Sequence, residues 1–354
     1  MAATIPDITT RRRFLATTLA AGIAPYISRG ADTRTILGQG DHRYRIVEGW
    51  GVLGAETPVA NCHGIVVTRE GHIILLTDQT ENNFIIYDKT GRLLHKWGTS
   101  YPGAHGLSLV EEGGKEVLWF TDTKLGKVFK STPEGELLGE WGCPIASGRY
   151  TKETDYKPSW TLHPPGGGFY VLDGYGKDYI PHYDVHGKLQ ETFGGQEGGI
   201  AHWGPHGGMW DDQPHEIGGK GKEGSLLIAM SDQQHLLRLS PDGKPGAIIP
   251  MPGGNPRQIR RAGDHYYVAH LADNWPADRD SRGFISIMDR DLKILSNLAA
   301  TPAEYDDEGA NSRMKSDGSQ IFTHPHDLAI DADGSIYVAQ FASNNTYPLK
   351  LERV

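Results

Sequence analysis

The run Thr323-His324-Pro325-His326-Asp327-Leu328-Ala329-Ile330-Asp331, continued by Ala332-Asp333-Gly334 and Ser335-Ile336-Tyr337-Val338-Ala339, decides the fold. It reads as a histidine at the mouth of an apolar strand, a tight Asp/Gly turn and a return strand. The unit recurs at Cys62-His63-Gly64-Ile65-Val66-Val67, at Ala104-His105-Gly106-Leu107-Ser108-Leu109 and more loosely at Pro214-His215-Glu216-Ile217. A second motif, an apolar stretch closing on an aromatic residue and glycine, recurs at 44–51, 91–98, 135–142 and 187–194. Together they mark units of about 40 residues with four short strands, the period of a β-propeller blade.

Six such units begin near Asn61, Gly103, Lys157, Gln213, Asn255 and Thr323. The last supplies three strands, and the stretch 44–51 has the sequence of its missing fourth. The expected fold is an all-β, six-bladed propeller over residues 31–354, its ring closed by the N-terminal strand joining the C-terminal blade, which removes exposed edges. Seven blades is the competing count. The composition agrees: 46 Gly and 21 Pro, with a mean hydropathy of -0.46, belong to a turn-rich chain.

Residues 1–30 are set apart as a targeting segment. Arg11-Arg12-Arg13-Phe14-Leu15 matches the twin-arginine export pattern, and the apolar run 16–24 is too short to span a bilayer. Cleavage is expected between Ala24 and Ala31, leaving a periplasmic or secreted monomer with no membrane attachment. A net charge of -9 without a basic cluster beyond the signal excludes nucleic acid as a partner. Cys62 and Cys143 either pair in that oxidising compartment or stand as two free thiols.

Hairpin turns such as 68–71, 88–91, 132–135 and 331–334 are tight. The long connections, 149–159, 196–214, 274–283 and 301–323, belong to one face of a propeller, where a functional site is expected over the central channel. Of 16 histidines, His63, His105, His215 and His326 start innermost strands on that face. His105, His215 and His326 are spaced by 110 and 111 residues, so three imidazoles from different sides would converge on the axis. Such a set suits a divalent metal with an open position, zinc first. One histidine at such a place can also simply cap a strand. His206 competes with His215 for the fourth blade, and His324 and His270 are further candidates for the same face. Trp160, Trp203, Trp210 and Trp275, in or beside the long loops, suit a glycan or aromatic ligand, or ordinary packing.

The segments around His105, His215 and His326 resemble the zinc-histidine segments of the peptidyl-α-hydroxyglycine α-amidating lyases, six-bladed propellers related to NHL-repeat proteins. Val171-Leu172-Asp173-Gly174-Tyr175 resembles the segment bearing that family's catalytic tyrosine. The resemblance implies His105, His215 and His326 as metal ligands, Tyr175 as base or proton carrier, and Asp327 with the Leu107 carbonyl on a structural calcium. His63 has no family counterpart. Where the family carries two arginines this chain has Asp78-Gln79 and Asp232-Gln233. Arg257, at the inner mouth of the fifth blade, is the cation left to replace them, or an interblade ion-pair partner. The sequence thus predicts an exported metal-dependent lyase, with a hydrolase second, acting on a small-molecule, peptide or glycan substrate. The alternative is a non-catalytic binding propeller for a glycan, peptide or partner protein.

Overall fold

The structure, a computed structural model, describes residues 35–195, 204–217, 220–275, 277–278, 280–307 and 309–354. Residues 1–30, where a targeting segment is expected, and Trp203 lie outside the described residues. Among the described residues, six antiparallel blade sheets follow in chain order, beside a small two-stranded one at Tyr305–Asp306 and Gly309–Ala310: residues 62–97, 104–141, 160–194, 205–250, 256–298, and a last sheet built from both ends of the chain. Their inner strands, Cys62–Val67, Ala104–Glu112, Trp160–Leu162, Pro205–Ile217, Pro256–Ala262 and Pro325–Ile330, contact one another in sequence and return from sixth to first. The six-bladed propeller is therefore the fold.

Closure follows from apolar pattern and pairing. Strand His42–Ile46 pairs with Leu349–Arg353, Tyr44 opposite Arg353 and Ile46 opposite Leu351. It is shorter than the expected 44–51, because residues 48–51 form a turn. A further strand, Leu37–Gln39, pairs outside it and makes blade six five-stranded. Gln39 then ties blade six to blade five: its N–H donates to Ser296 Oγ at 2.8 Å, and its Oε1 accepts Asn297 N–H at 2.8 Å. Leu37 and Tyr44 are buried against Ile285, Ile287 and Leu298 of blade five. Deleting residues 35–46 should open the last blade's edge, abolish cooperative urea unfolding and promote aggregation. A deletion variant with the parent's unfolding curve would refute this closure.

The aromatic-glycine motif has a physical explanation. The indole N–H of Trp50 donates to Lys89 O (3.0 Å), that of Trp97 to Pro133 O (2.9 Å) and that of Trp141 to Gly187 O (3.2 Å). Each tryptophan at the outer edge of one blade thus latches onto the last hairpin turn of the next. Gly187, at φ 73°, lies flat against this indole, where a Cβ would stand 2.5 Å from Trp141 Nε1. Trp50 latches blade one in the same way, as expected of a chain terminus that completes blade six.

Blade four departs from expectation. Its inner strand starts at Pro205, earlier than the expected Gln213, so half of the supposed 196–214 loop is strand. Pro205–Ile217 and Lys220–Met230 form a long hairpin.

Candidate metal centre

The inner strands deliver their first side chains to the axis through one repeated backbone device. The ladder shifts register between Cys62 and Gly64, Ala104 and Leu107, Pro205 and Gly207, Pro256 and Gln258, and Pro325 and Asp327. An extra residue in one strand re-aims its side chain. The residues inside these five bulges include His63, His105, His206, Arg257 and His326. Blade three lacks the bulge and contributes a carbonyl and a loop.

His105, His206 and His326 form a nearly equilateral triangle, with ring centroids 4.9, 4.8 and 4.7 Å apart. His63 lies 4.7 Å from His105 and 4.8 Å from His326. Ligand atoms of His63, His105 and His326 lie within 4.8 Å of one another, and the group could hold a metal ion. All four rings are nearly buried, between 2% and 7% exposed, which removes competing water. His206, rather than the expected His215, brings its ring beside His105 and His326, although the group whose ligand atoms gather closely enough for an ion is His63, His105 and His326. His215 sits near the far end of the same strand, opposite Glu223, and nine residues of strand separate the two by about 30 Å.

Tautomers follow from the partners. His105 Nδ1 meets Ser159 O at 2.9 Å, His206 Nδ1 meets Arg257 O at 2.9 Å, and His326 Nδ1 meets His63 O at 2.7 Å. A carbonyl only accepts, so each Nδ1 carries the proton and each Nε2 keeps a lone pair. The three bonds each run from one blade to the next around the ring. Burial, joined by the neighbouring imidazoles and Arg257, holds all three well below the usual histidine range, hence neutral. His63 is wired differently: its Nδ1 is buried without a partner, while Nε2 faces Asp78 Oδ2 at 3.9 Å. Burial would raise the Asp78 carboxyl, but bonding to His63 and Asn61 outweighs it and holds the group low, a fixed anion behind the ring.

Tyr175, from the loop after strand Phe169–Leu172, places its hydroxyl 3.2 Å from His105 Nε2 and 2.8 Å from His206 Nε2. The residue as a whole is 43% exposed, while its hydroxyl sits between two buried imidazoles. Burial pushes its pKa up, with Arg257 opposing. Asp173 anchors the loop by accepting Lys157 N–H (2.6 Å), Lys177 N–H (2.7 Å) and Tyr150 O–H (2.9 Å). Its own carboxyl is pushed up to about 7 by burial. A cavity of about 1080 Å³ runs from His63, His105 and Tyr175 outward past Lys124, Glu153 and Lys157.

Several expected roles move. Asp327 is fully buried, but its oxygens accept Arg260 Nε (3.0 Å) and Nη2 (2.6 Å), Ile65 N–H (2.9 Å) and Leu328 N–H (2.8 Å). Arg260 Nη2 also donates to Leu107 O at 2.8 Å. A guanidinium thus occupies the place between Asp327 and the Leu107 carbonyl where calcium was expected. His270 is fully buried within blade five, bonded to Ser286 Oγ at 3.0 Å and stacked on Phe284, away from the axis. Trp160 is fully buried in the inner strand of blade three and packs under Arg260. Trp210 lies in blade four's inner strand beside Tyr170. Trp275 alone of the described candidates stands at the mouth, beside His324 and Phe341. His324 is buried, its Nδ1 on Phe341 O at 3.2 Å. Both cysteines are free thiols.

The sequence did carry a signal for His206. His63-Gly64, His105-Gly106 and His206-Gly207 share a dipeptide that His215-Glu216 lacks. A Cβ on Gly106 would collide with Ser159 O, and one on Gly207 with Arg257 O. Those are the carbonyls that fix the adjacent imidazoles, so close interblade approach requires the glycine.

Solved structures similar to this one are six-bladed propellers. A streptogramin B lyase matches with a TM-score of 0.56 at 14% identity, over 87% of this chain and 97% of that one. A virginiamycin B lyase from Staphylococcus aureus matches at 0.53 and 14%, over 89% and 88%. A gluconolactonase from Xanthomonas campestris matches at 0.55 and 10%, over 91% and 96%. At such identities the likeness establishes the fold alone. No protein-family model matches the chain, and no curated protein does.

Proposed function

We propose that this chain is an exported, metal-dependent lyase cleaving a C–N or C–O bond of a small molecule. The carrying observation is an imbalance of protons. Nε2 of His105, His206 and His326 keep lone pairs in one buried space, and the His63 ring beside them has its Nδ1 buried without a partner. One phenolic proton, that of Tyr175, is shared between two of them. Neutral lone pairs packed together repel unless a cation sits among them, and imidazole donors suit zinc and its divalent neighbours. Asp78 behind His63, and backbone carbonyls behind the other three, are the outer partners that orient metal-bound imidazoles. His105, His206 and His326 would hold the ion, with His63 as fourth donor.

When bound, the metal supplies an electrophile that polarises a substrate hydroxyl or carbonyl. The chain's own residues do the rest. Tyr175 borders both the imidazole cluster and the cavity, so it is placed to take a proton from the reacting group and return it to the leaving nitrogen or oxygen. The long-loop face and the cavity between blades two and three admit a molecule larger than a single sugar or amino acid. That a streptogramin B lyase shares the fold supports lyase chemistry first; a gluconolactonase of the same fold keeps hydrolysis as the second reading.

Protein purified without chelators and supplied with zinc should carry one ion per chain by elemental analysis. A stoichiometry well under one would remove the enzyme reading and favour a binding propeller. Export rests on the Arg11-Arg12 pair: replacing both with Lys should strand the precursor in the cytoplasm, and normal delivery of that variant would overturn it.

A further inference from the structure

Two aromatic side chains on the blade-six side of the cavity mouth take no part in the proposed metal or proton chemistry. Phe341 lines the same cavity as His63, His105 and Tyr175. Its ring centroid stands 5.5 Å from that of His63 and 6.1 Å from that of His326. Trp275 meets it edge-on, at 6.3 Å and 81°, and also meets His324 at 5.2 Å. Both Phe341 and Trp275 are only half-buried, although phenyl and indole rings are among the side chains that gain most from leaving water.

The backbone holds Phe341 in this position. Its N–H donates to His324 O at 2.9 Å, and its carbonyl accepts from His324 Nδ1 at 3.2 Å. The next residue, Ala342, takes a left-handed φ of 46° and donates its N–H to Asn61 Oδ1 at 3.0 Å. Alanine is strained in that region, and such outliers persist where the surrounding structure fixes them, often at ligand clamps.

The amide side chains beside Phe341 are spent on internal bonds. Asn61 Nδ2 donates to Asp78 Oδ2 at 3.0 Å, and Gln340 Oε1 accepts Thr323 N–H at 2.8 Å. A sugar site would keep such groups for the ligand's hydroxyls. Here the ring faces are what remains for a ligand. From Tyr175, the rings of His105, His63 and Phe341 follow one another with centroids 5.1, 4.7 and 5.5 Å apart. A flat group on Phe341 therefore lies at one end of this row, with the Tyr175 phenol at the other.

We infer that Phe341 and Trp275 form a subsite for a neutral aryl group, seated beside the imidazole cluster. That the aryl group belongs to a substrate rests on the proposed enzyme reading; its binding does not. A cationic ring would be repelled by a divalent ion held at the imidazoles, which favours a neutral one. Offset or edge-to-face contact with two aromatic rings stabilises an aryl group beyond its buried area, a gain that a saturated ring of similar size does not share.

The probes are benzyl alcohol, its saturated counterpart cyclohexylmethanol, and methyl glucoside. Ligand-detected NMR titration of metal-free protein should show benzyl alcohol binding roughly two- to tenfold more tightly than cyclohexylmethanol, the range that ring–ring geometry supplies. Phe341→Leu should erase that preference while leaving cyclohexylmethanol affinity within about twofold, and Phe341→Tyr should retain it. Trp275→Leu should lower the preference by about half. Equal affinity for the two alcohols in the wild type overturns the subsite, as does an undiminished preference in Phe341→Leu. Tighter binding of methyl glucoside than of benzyl alcohol also overturns it, in favour of a sugar. Should Phe341→Leu fail to fold, Trp275→Leu, altered at the half-exposed mouth, decides: an unchanged preference there overturns the subsite. A chain that binds no zinc but prefers the aryl alcohol loses the metal centre and keeps the subsite; one that binds zinc without the preference does the reverse.

Discussion

Alanine at His105, His206 or His326 should each empty the metal site, lowering zinc occupancy from one ion per chain to less than a tenth after dialysis. The same change at His215 should leave occupancy untouched. The three form one triangle with Nδ1 protons fixed on neighbouring carbonyls, and removing one of three or four donors leaves no competent set. Asp78→Asn should be milder, a 10- to 100-fold weakening of affinity, because it alters only the partner behind His63. The blades pack without the ion, so circular dichroism of every variant should match wild type. Tyr175→Phe separates holding from proton movement: it should keep the metal and lose roughly 10²–10⁴ in turnover. Retained zinc in His206→Ala together with lost zinc in His215→Ala would reverse the assignment in blade four.

That blade shows where the sequence stops being legible. Blades one, two and six were readable because a histidine, an apolar alternation and an Asp/Gly turn follow one another without interruption. In blade four the inner strand contains Gly207-Gly208, Asp211-Asp212 and Pro214, all loop markers by local propensity. Tertiary structure overrides each of them. The glycines give close interblade approach. Asp211 is buried on Arg238 and Tyr266 at 2.7 and 2.8 Å. Pro214 falls where the register shifts between Asp211 and His215, a place that needs no ladder N–H. The equal spacing of His105, His215 and His326 was then a coincidence of loop lengths. In contrast, the N-terminal closing segment was visible because Trp50, in the turn just past its strand, repeats the tryptophans of blades one and two, and its indole reaches a hairpin turn of blade one.

The axial cation was half legible. Asp327 and the Leu107 carbonyl do share one positive partner, but it is a side chain 67 residues from the aspartate, and nothing near either residue announces Arg260. Its removal is the second large effect expected. Arg260→Met should cost about 3–5 kcal/mol in urea unfolding, the range for stripping one partner from a buried ion pair. Asp327 is fully buried, and Arg260 links it to blade two while Asp327 itself holds Ile65 N–H of blade one. Burial already raises the Asp327 carboxyl, with Arg260 pulling it back. Without the guanidinium the folded-state pKa climbs further above its unfolded value. A group raised in this way favours the fold when protonated and loses that contribution as pH rises through the folded-state pKa. The cost of Arg260→Met should therefore be smallest in acid and largest at neutral pH. Combining it with Asp327→Leu, which removes both charges, should recover most of the loss. A single variant as stable as wild type at neutral pH, or a double variant no better than the single, would show that the guanidinium does not pin the blades together.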